Sequence, residues 1–129
     1  MEIGNINWGD KKILIAEDAE DNFFLLSAIL KKTKISIVRA TNGQEAVDLC
    51  KENDDIQAVL MDISMPVMDG LEATKLIKEF RPDLPIIIQT AYAMESDKET
   101  SFSAGCDDYI SKPIRRNFLM ELLSKYLDK

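Results

Sequence analysis

Short apolar runs alternate with segments of helical periodicity along the whole chain. Three runs, ILIA, AVLM and PIIIQ, are almost continuously apolar. Such runs are typical of parallel strands that are covered on both faces of a sheet. The pattern therefore predicts five strands, at Lys11–Glu17, Ile35–Ala40, Ile56–Asp62, Leu84–Thr90 and Asp108–Lys112.

Helices are predicted between and after these strands, at about residues 20–33, 43–53, 71–81, 95–104 and 115–127. The third helix carries an apolar stripe at helical spacing that ends at Phe80. The last helix is expected to place Phe118 on its inner side. The fourth helix has only Phe102 and small residues to bury, so we expect it to be the least firmly anchored.

Regular alternation of strands and helices predicts an α/β domain with a doubly wound parallel sheet. Right-handed crossovers leave few topologies, and for five such units the flavodoxin-like strand order 2-1-3-4-5 is favoured. Residues 1–10 fall outside the pattern and are interpreted as a lead-in segment to a domain at residues 11–129.

Composition limits the classes of function. The chain has 129 residues, 46% of them hydrophobic, which predicts one soluble globular domain. A net charge of −7 argues against direct binding to nucleic acid. No apolar run approaches the roughly 18 residues that membrane insertion requires. The first residues do not resemble a signal peptide, so we expect a cytoplasmic protein.

The chain contains no histidine, which excludes histidine-based acid–base catalysis, a serine triad and the usual zinc sites. Cys50 and Cys106 lie far apart without a CxxC spacing. We interpret them as reduced packing residues.

Polar side chains stand at the ends of four predicted strands. Glu17 and Asp18 follow the first strand, Asp62 ends the third, Thr90 ends the fourth and Lys112 ends the fifth. In a doubly wound sheet, the carboxyl ends of the strands form the ligand-binding edge. We therefore expect these five side chains to face one pocket.

Three clustered carboxylates repel one another unless a cation joins them, and a set of hard oxygen ligands suits Mg²⁺. A carboxylate can also attack a phosphoryl group and form an aspartyl-phosphate, which makes Asp62 a candidate nucleophile. Mg²⁺ and Lys112 would then offset the charge on the transferring oxygens, and Thr90 would donate a hydrogen bond to them.

Each of these residues also has an ordinary structural interpretation. Glu17 and Asp18 alone could cap the helix that follows, and Lys112 alone could be a surface lysine. Asp69-Gly70 is better interpreted as a turn and a helix start. The functional interpretation depends on the whole set occurring at one edge.

Four segments of the chain resemble one known family: ILIAEDAEDN, MDISMPVMDGLEA, QTAYA and AGCDDYISKPI. They are similar to the receiver, or phosphoacceptor, domains of two-component response regulators and hybrid sensor histidine kinases. The resemblance extends over about residues 11–127 and implies the flavodoxin-like fold that the pattern already predicts.

The resemblance assigns roles to the strand-end residues. It implies that Asp62 is the phosphoacceptor and that Glu17 and Asp18 hold Mg²⁺ together with the backbone carbonyl of Ser64. It implies that Lys112 pairs with the phosphoryl group and that its bond to Pro113 is cis.

The resemblance also implies a switch. Thr90 would be the switch hydroxyl and Tyr109 the switch aromatic, so that phosphorylation changes the surface of the fourth helix, fifth strand and last helix. Ser64 and Tyr92 match the positions that set how long the phosphoryl group survives. The implied phosphodonor is a sensor histidine kinase or a histidine phosphotransfer protein. The resemblance leaves open whether phosphorylation produces a dimer.

Two other functions fit the sequence less well. A phosphatase of the aspartate-nucleophile class needs a second acid two residues after the nucleophile, where this chain has Ser64. A flavin-binding module would cradle a phosphate in its first loop, but here that loop is EDAEDN and would repel phosphate. The chain is thus interpreted as a signalling module rather than a metabolic enzyme, and its lead-in favours a hybrid kinase over a stand-alone receiver.

Overall fold

A computed structural model describes residues 6–91 and 95–128 of the chain. The strands are β1 (Lys12–Ala16), β2 (Ser36–Ala40), β3 (Ile56–Asp62), β4 (Ile86–Thr90) and β5 (Asp108–Ser111). The helices are α1 (Glu20–Leu30), α2 (Gly43–Glu52), α3 (Gly70–Phe80), α4 (Glu95–Ser103) and α5 (Arg116–Leu127). A 3₁₀ turn, Lys31–Thr33, extends α1 to the predicted end of the first helix.

The five strands form one parallel sheet in the order β2-β1-β3-β4-β5, which confirms the predicted fold. Successive residues of a strand point to opposite faces, so the apolar strands supply two cores at once. On β1, Ile13 and Ile15 pack in the core on the side of α1 and α5. Leu14 and Ala16 pack in the other core, on the side of α2 and α3.

Two of the helices begin at side-chain caps, as their sequences favour. Asn42 accepts a hydrogen bond from the backbone N–H of Glu45 at the start of α2, at 2.8 Å. Asp69 does the same for Glu72 at the start of α3, at 2.9 Å, which confirms the interpretation of Asp69-Gly70 as a helix start. By contrast, α1 follows Ala19 and has no side-chain cap.

The prediction for three phenylalanines was wrong. Phe118 is 52% exposed at the start of α5, and Phe80 is also exposed at the end of the α3 stripe. Phe102 of α4 is exposed as well and meets Tyr109 edge-on. Helical periodicity identifies a face, but residues near a helix end extend beyond the core that the face covers.

The segment before β1 takes part in the core. Trp8 is 1% exposed, and its indole Nε1–H donates to a carboxylate oxygen of Asp128 at 2.7 Å. The domain assignment that begins at residue 11 stays a prediction, but the packed structure already includes Trp8. Among residues 6–91 and 95–128, no helix has the length and apolar character needed to cross a membrane.

Candidate functional site

Three carboxylates meet where β1 and β3 end side by side. Glu17, Asp18 and Asp62 each offer an oxygen atom within 4.8 Å of the others. Glu17 is fully buried and Asp62 is 5% exposed, whereas Asp18 is exposed. The structure thus brings together the three acids that the sequence placed at this edge, in a cluster that opens to solvent at Asp18.

Lys112 brings a positive charge to the same place from the residue after β5. Its Nζ lies 3.3 Å from Oε1 of Glu17 and 3.4 Å from Oδ1 of Asp62. The bond from Lys112 to Pro113 is cis, as the family resemblance implied. The ammonium therefore contacts two of the three acids, and the cluster keeps a net negative charge.

The pKa values of the two buried acids, Glu17 and Asp62, shift in opposite directions. Burial, a hydrogen bond with Glu17 and the negative charge of Glu17 together raise the pKa of Asp62 to about 7, against the opposing effect of Lys112. Burial also acts to raise the pKa of Glu17, but hydrogen bonds with Asn22, Asp62 and the Ala19 backbone hold that pKa below its usual value. Without a cation, Glu17 keeps its charge and Asp62 is reluctant to ionise.

The acceptor loop, residues 63–69, follows Asp62 and is fixed by close backbone contact. The Gly70 N–H donates to the carbonyl of Ile63 at 2.9 Å. A Cβ at Gly70 would lie only 2.1 Å from the carbonyl oxygen of Asp62. Met65 and Met68 pack against the core beside α3. The start of α3 thus holds the backbone of Asp62 in place.

Sequence analysis missed two amide side chains beside Glu17. The Asn22 Nδ2 of α1 donates to Oε1 of Glu17 and, at 3.2 Å, to Oε1 of Gln89. Gln89 lies fully buried on β4 and pairs in register with Asp62. A lone amide in the apolar strand IIIQT was the available signal, because a buried polar side chain needs a partner.

The acidic loop, residues 17–19, is contacted by an arginine that sequence analysis also missed. The guanidinium of Arg39, on β2, donates from Nε and Nη2 to the backbone carbonyl of Glu17, both at 3.2 Å. Its Nη2 lies 3.4 Å from the carbonyl of Asp18. The sequence of β2, SIVRA, gives no sign that one of its side chains reaches this loop.

The remaining predicted residues surround the cluster less directly. Thr90 is buried at the end of β4, and its carbonyl accepts a hydrogen bond from the Lys112 N–H at 2.8 Å. Tyr109 on β5 is half-buried, with Nζ of Lys98 5.3 Å from its ring centre. Ser64 is exposed in the acceptor loop, and Tyr92 lies outside the described residues. The roles assigned to these residues stay predictions.

Comparison with known proteins identifies the family. Residues 13–124 match the family model of the response regulator receiver domain. The chain is a receiver domain. It thus belongs to the signalling domains of two-component systems, and the family resemblance of its four segments is confirmed.

Its curated relatives include both stand-alone and hybrid proteins. The chain is 39% identical over 120 residues to the polar-differentiation response regulator DivK of Brucella anthropi, covering 91% of this chain and 96% of DivK. It is 36% identical over 137 residues to hybrid signal transduction histidine kinase I of Dictyostelium discoideum. That match covers all of this chain but only 8% of the kinase.

Solved receivers share the fold. One is the receiver domain of sensor histidine kinase PA1611 from Pseudomonas aeruginosa, solved with a magnesium ion in its active site cleft. It matches this chain with a TM-score of 0.85 and 32% sequence identity. The match covers 92% of this chain and 98% of that chain. A chain of the Saccharomyces cerevisiae co-crystal of phosphotransfer protein Ypd1 and the Ssk1 receiver domain has a TM-score of 0.84 and 33% identity. It covers 90% of this chain and 88% of that one.

The residues present at the site fit a magnesium ion. Carboxylate oxygens are hard ligands, and Mg²⁺ commonly uses few protein ligands and keeps several waters. The cluster offers three such carboxylates within 4.8 Å, one of them exposed on the solvent side. Burial and the neighbouring Glu17 raise the pKa of Asp62, and a cation bound at the cluster would favour its ionised form.

Proposed function

We propose that this receiver domain is a phosphorylation-controlled switch that accepts a phosphoryl group on Asp62. The observation that carries the proposal is the position of Asp62, a buried carboxylate beside an ammonium and two further acids. A buried carboxylate among other charged groups is typical of a functional site, and it can act as a nucleophile.

We take the donor to be a phosphohistidine, the phosphodonor of two-component systems, and it lies outside these 129 residues because they contain no histidine. A carboxylate oxygen of Asp62 forms a bond to phosphorus as the bond from phosphorus to the donor's imidazole nitrogen breaks. The imidazole leaves with the electron pair of that bond and takes up a proton. Asp62 thus becomes an acyl phosphate, and the donor histidine is restored.

Glu17, Asp18 and the Ser64 carbonyl would hold Mg²⁺ together with Asp62. When bound, the ion offsets negative charge on the transferring phosphoryl oxygens. Lys112 acts on the same charge, since its Nζ lies 3.4 Å from Oδ1 of Asp62. The domain thereby promotes its own phosphorylation and dephosphorylation without being a metabolic enzyme.

The proposed partner is a sensor histidine kinase or a histidine phosphotransfer protein. A structurally similar chain comes from a co-crystal of the histidine phosphotransfer protein Ypd1 with the Ssk1 receiver domain, which supports a partner of this class. Exposed apolar side chains are available for such a contact on the two segments that follow the clustered acids: Phe24 of α1 is 63% exposed and Val67 of the acceptor loop is 83% exposed. Exposed apolar groups of this size often mark protein contacts.

The output surface is proposed to be α4, β5 and α5. Thr90 ends β4 beside Lys112, and a phosphoryl group on Asp62 would attract its hydroxyl. Tyr109, whose ring meets Phe102 edge-on and has its centre 5.3 Å from Nζ of Lys98, would then turn inward. A bias of about 1.4 kcal/mol shifts such an equilibrium tenfold, so one new hydrogen bond suffices.

Intact mass tests the proposal. The domain is incubated with Mg²⁺ and acetyl phosphate, with and without a chelator. Wild-type protein should gain one phosphoryl group only when Mg²⁺ is free, and Asp62→Asn should gain none. Asp69→Asn is the matched control, because Asn caps a helix as well as Asp does and the loop is preserved. A phosphoryl gain by the Asp62 variant would refute the assignment.

A further inference from the structure

The acidic loop carries two of the three clustered carboxylates but lacks a helix cap of its own. Helix α1 starts after Ala19, which has no side chain to bond the free N–H groups of the first turn. The Ala19 N–H instead donates to Oε2 of Glu17 at 3.3 Å. A carboxylate that binds a cation is a weaker anchor for this N–H, so the loop needs support from elsewhere.

Arg39 provides contacts of that kind from outside the loop. Its planar fork reaches the Glu17 carbonyl with two N–H groups at 3.2 Å, and the Asp18 carbonyl lies 3.4 Å from Nη2. The guanidinium also lies over the ring of Phe23, with Cζ 4.5 Å from the ring centre. The fork is therefore fixed between an aromatic face and the backbone of both acids.

We propose that Arg39 is a positioning residue that holds the acidic loop in the geometry required for Mg²⁺ binding. The proposal rests on the proposed function, in which Glu17 and Asp18 hold that ion. Arg39 contacts the backbone carbonyls of the two acids and not their carboxylates. It thus orients the ligands and leaves their charged oxygens free for the metal.

A purely electrostatic effect of Arg39 would have the opposite sign. The guanidinium carries a positive charge close to a cation site, so its charge alone disfavours Mg²⁺. Removing that charge would then tighten binding. Loss of positioning would weaken it, so the direction of the change distinguishes the two effects.

The experiment measures the Mg²⁺ Kd by calorimetry at fixed ionic strength. Arg39→Gln removes the charge and the fork, and Arg39→Lys keeps the charge but loses the fork. Arg39→Lys should bind Mg²⁺ about tenfold more weakly than wild type, the low end of the effect usual for groups that orient metal ligands. Arg39→Gln should also bind it more weakly, by a smaller factor, because loss of the positive charge offsets part of the effect. Urea unfolding of each variant confirms that the titrated protein is folded.

Arg81→Lys is the matched control. Arg81 also donates to backbone carbonyls, those of Asn53, Asp54 and Ile56, but at the opposite end of the sheet. Its loss should lower stability and leave the Mg²⁺ Kd within twofold of wild type. Amide hydrogen exchange in metal-free protein should speed up at residues 17–20 in Arg39→Lys and not in Arg81→Lys.

The outcomes separate the two proposals. If wild-type protein binds no Mg²⁺, the proposed function fails. If wild type binds Mg²⁺ and Arg39→Gln binds it equally well or more tightly, the positioning role is overturned. An Arg39→Lys variant with wild-type affinity and unchanged exchange at residues 17–20 would also overturn it.

Discussion

The acidic loop and the acceptor loop follow the neighbouring strands β1 and β3 at the same edge of the sheet. The two loops are nevertheless stabilised differently. The acceptor loop is fixed by its own sequence, through the Asp69 cap and the backbone contact at Gly70. The acidic loop has no cap and is contacted by Arg39 of β2, by Asn22 of α1 and by Lys112 after β5. The phosphoacceptor thus precedes a locally fixed segment, whereas the acidic loop depends on side chains from other elements of the fold.

This difference matters for the proposed chemistry. A nucleophile must lie at a defined point for attack, and a rigid loop after Asp62 provides that. The metal-binding carboxylates must be accommodated by the fold both with and without a bound ion. Support by side chains from several elements lets the carboxylates adjust while the backbone stays in place.

The largest expected effect comes from Gly70→Ala in the acceptor loop. The new Cβ would lie 2.1 Å from the Asp62 carbonyl oxygen and 2.9 Å from Cγ of Met61, so backbone must move. We expect a loss of roughly 2–3 kcal/mol in the free energy of unfolding, which urea denaturation measures. Ala19→Gly in the acidic loop is the comparison and should cost less than about 0.5 kcal/mol, because Gly is tolerated at an N-cap. Equal losses would refute the difference between the loops.

A smaller effect is expected when the charge of Asp62 is removed. Its folded pKa is raised to about 7 from 3.8, so folded protein retains the proton over this range while unfolded protein loses it. Folding stability therefore falls as pH rises from about 4 to 7, and the full cost is present above pH 7.

Asp62→Asn should consequently be more stable than wild type at pH 8 without metal, by on the order of 2 kcal/mol, and the gain should shrink toward pH 4. Urea unfolding at pH 8 and pH 5 measures it, with Asp69→Asn as the control for an exposed acid. Added Mg²⁺ should stabilise wild type more than Asp62→Asn. A gain that is independent of pH would show that the Asp62 charge is not its source.

The smallest effects concern the caps. Asp69→Ala should lower the free energy of unfolding by about 1 kcal/mol, because α3 loses its side-chain cap. Ala19→Asn should raise it by about 0.5 kcal/mol, since α1 gains the cap that it lacks. Both changes are read from urea midpoints. Destabilisation by Ala19→Asn would show that the acidic loop cannot adopt a capped geometry.

The same difference between local and long-range contacts explains which features could be predicted from the sequence. The strand-end acids were predicted from short apolar runs that end in polar residues, and the sheet order from the alternation of strands and helices; both were found. Asp69-Gly70 was predicted as a helix start for the same reason, because a cap and its helix are adjacent in the chain. Local features such as these are visible in the sequence.

Contacts between distant elements were not visible. Arg39 and Gln89 are single polar residues on strands, and only the folded arrangement brings them to the acidic loop or to Asn22. The packing of Trp8 depends on Asp128 at the other end of the chain. The exposure of Phe118 depends on where the core ends beside α5, which helical spacing does not specify.

The central claim is that Asp62 carries the phosphoryl group, and chemical mapping tests it most directly. The domain is phosphorylated by a phosphohistidine-bearing partner in Mg²⁺, then treated with borohydride, which reduces an acyl phosphate to an alcohol. Peptide mass spectrometry should find homoserine at position 62 and unmodified acid at Glu17, Asp18 and Asp69. Homoserine at position 18 or 69 with intact Asp62, or a phosphoryl group that resists borohydride, would contradict the account.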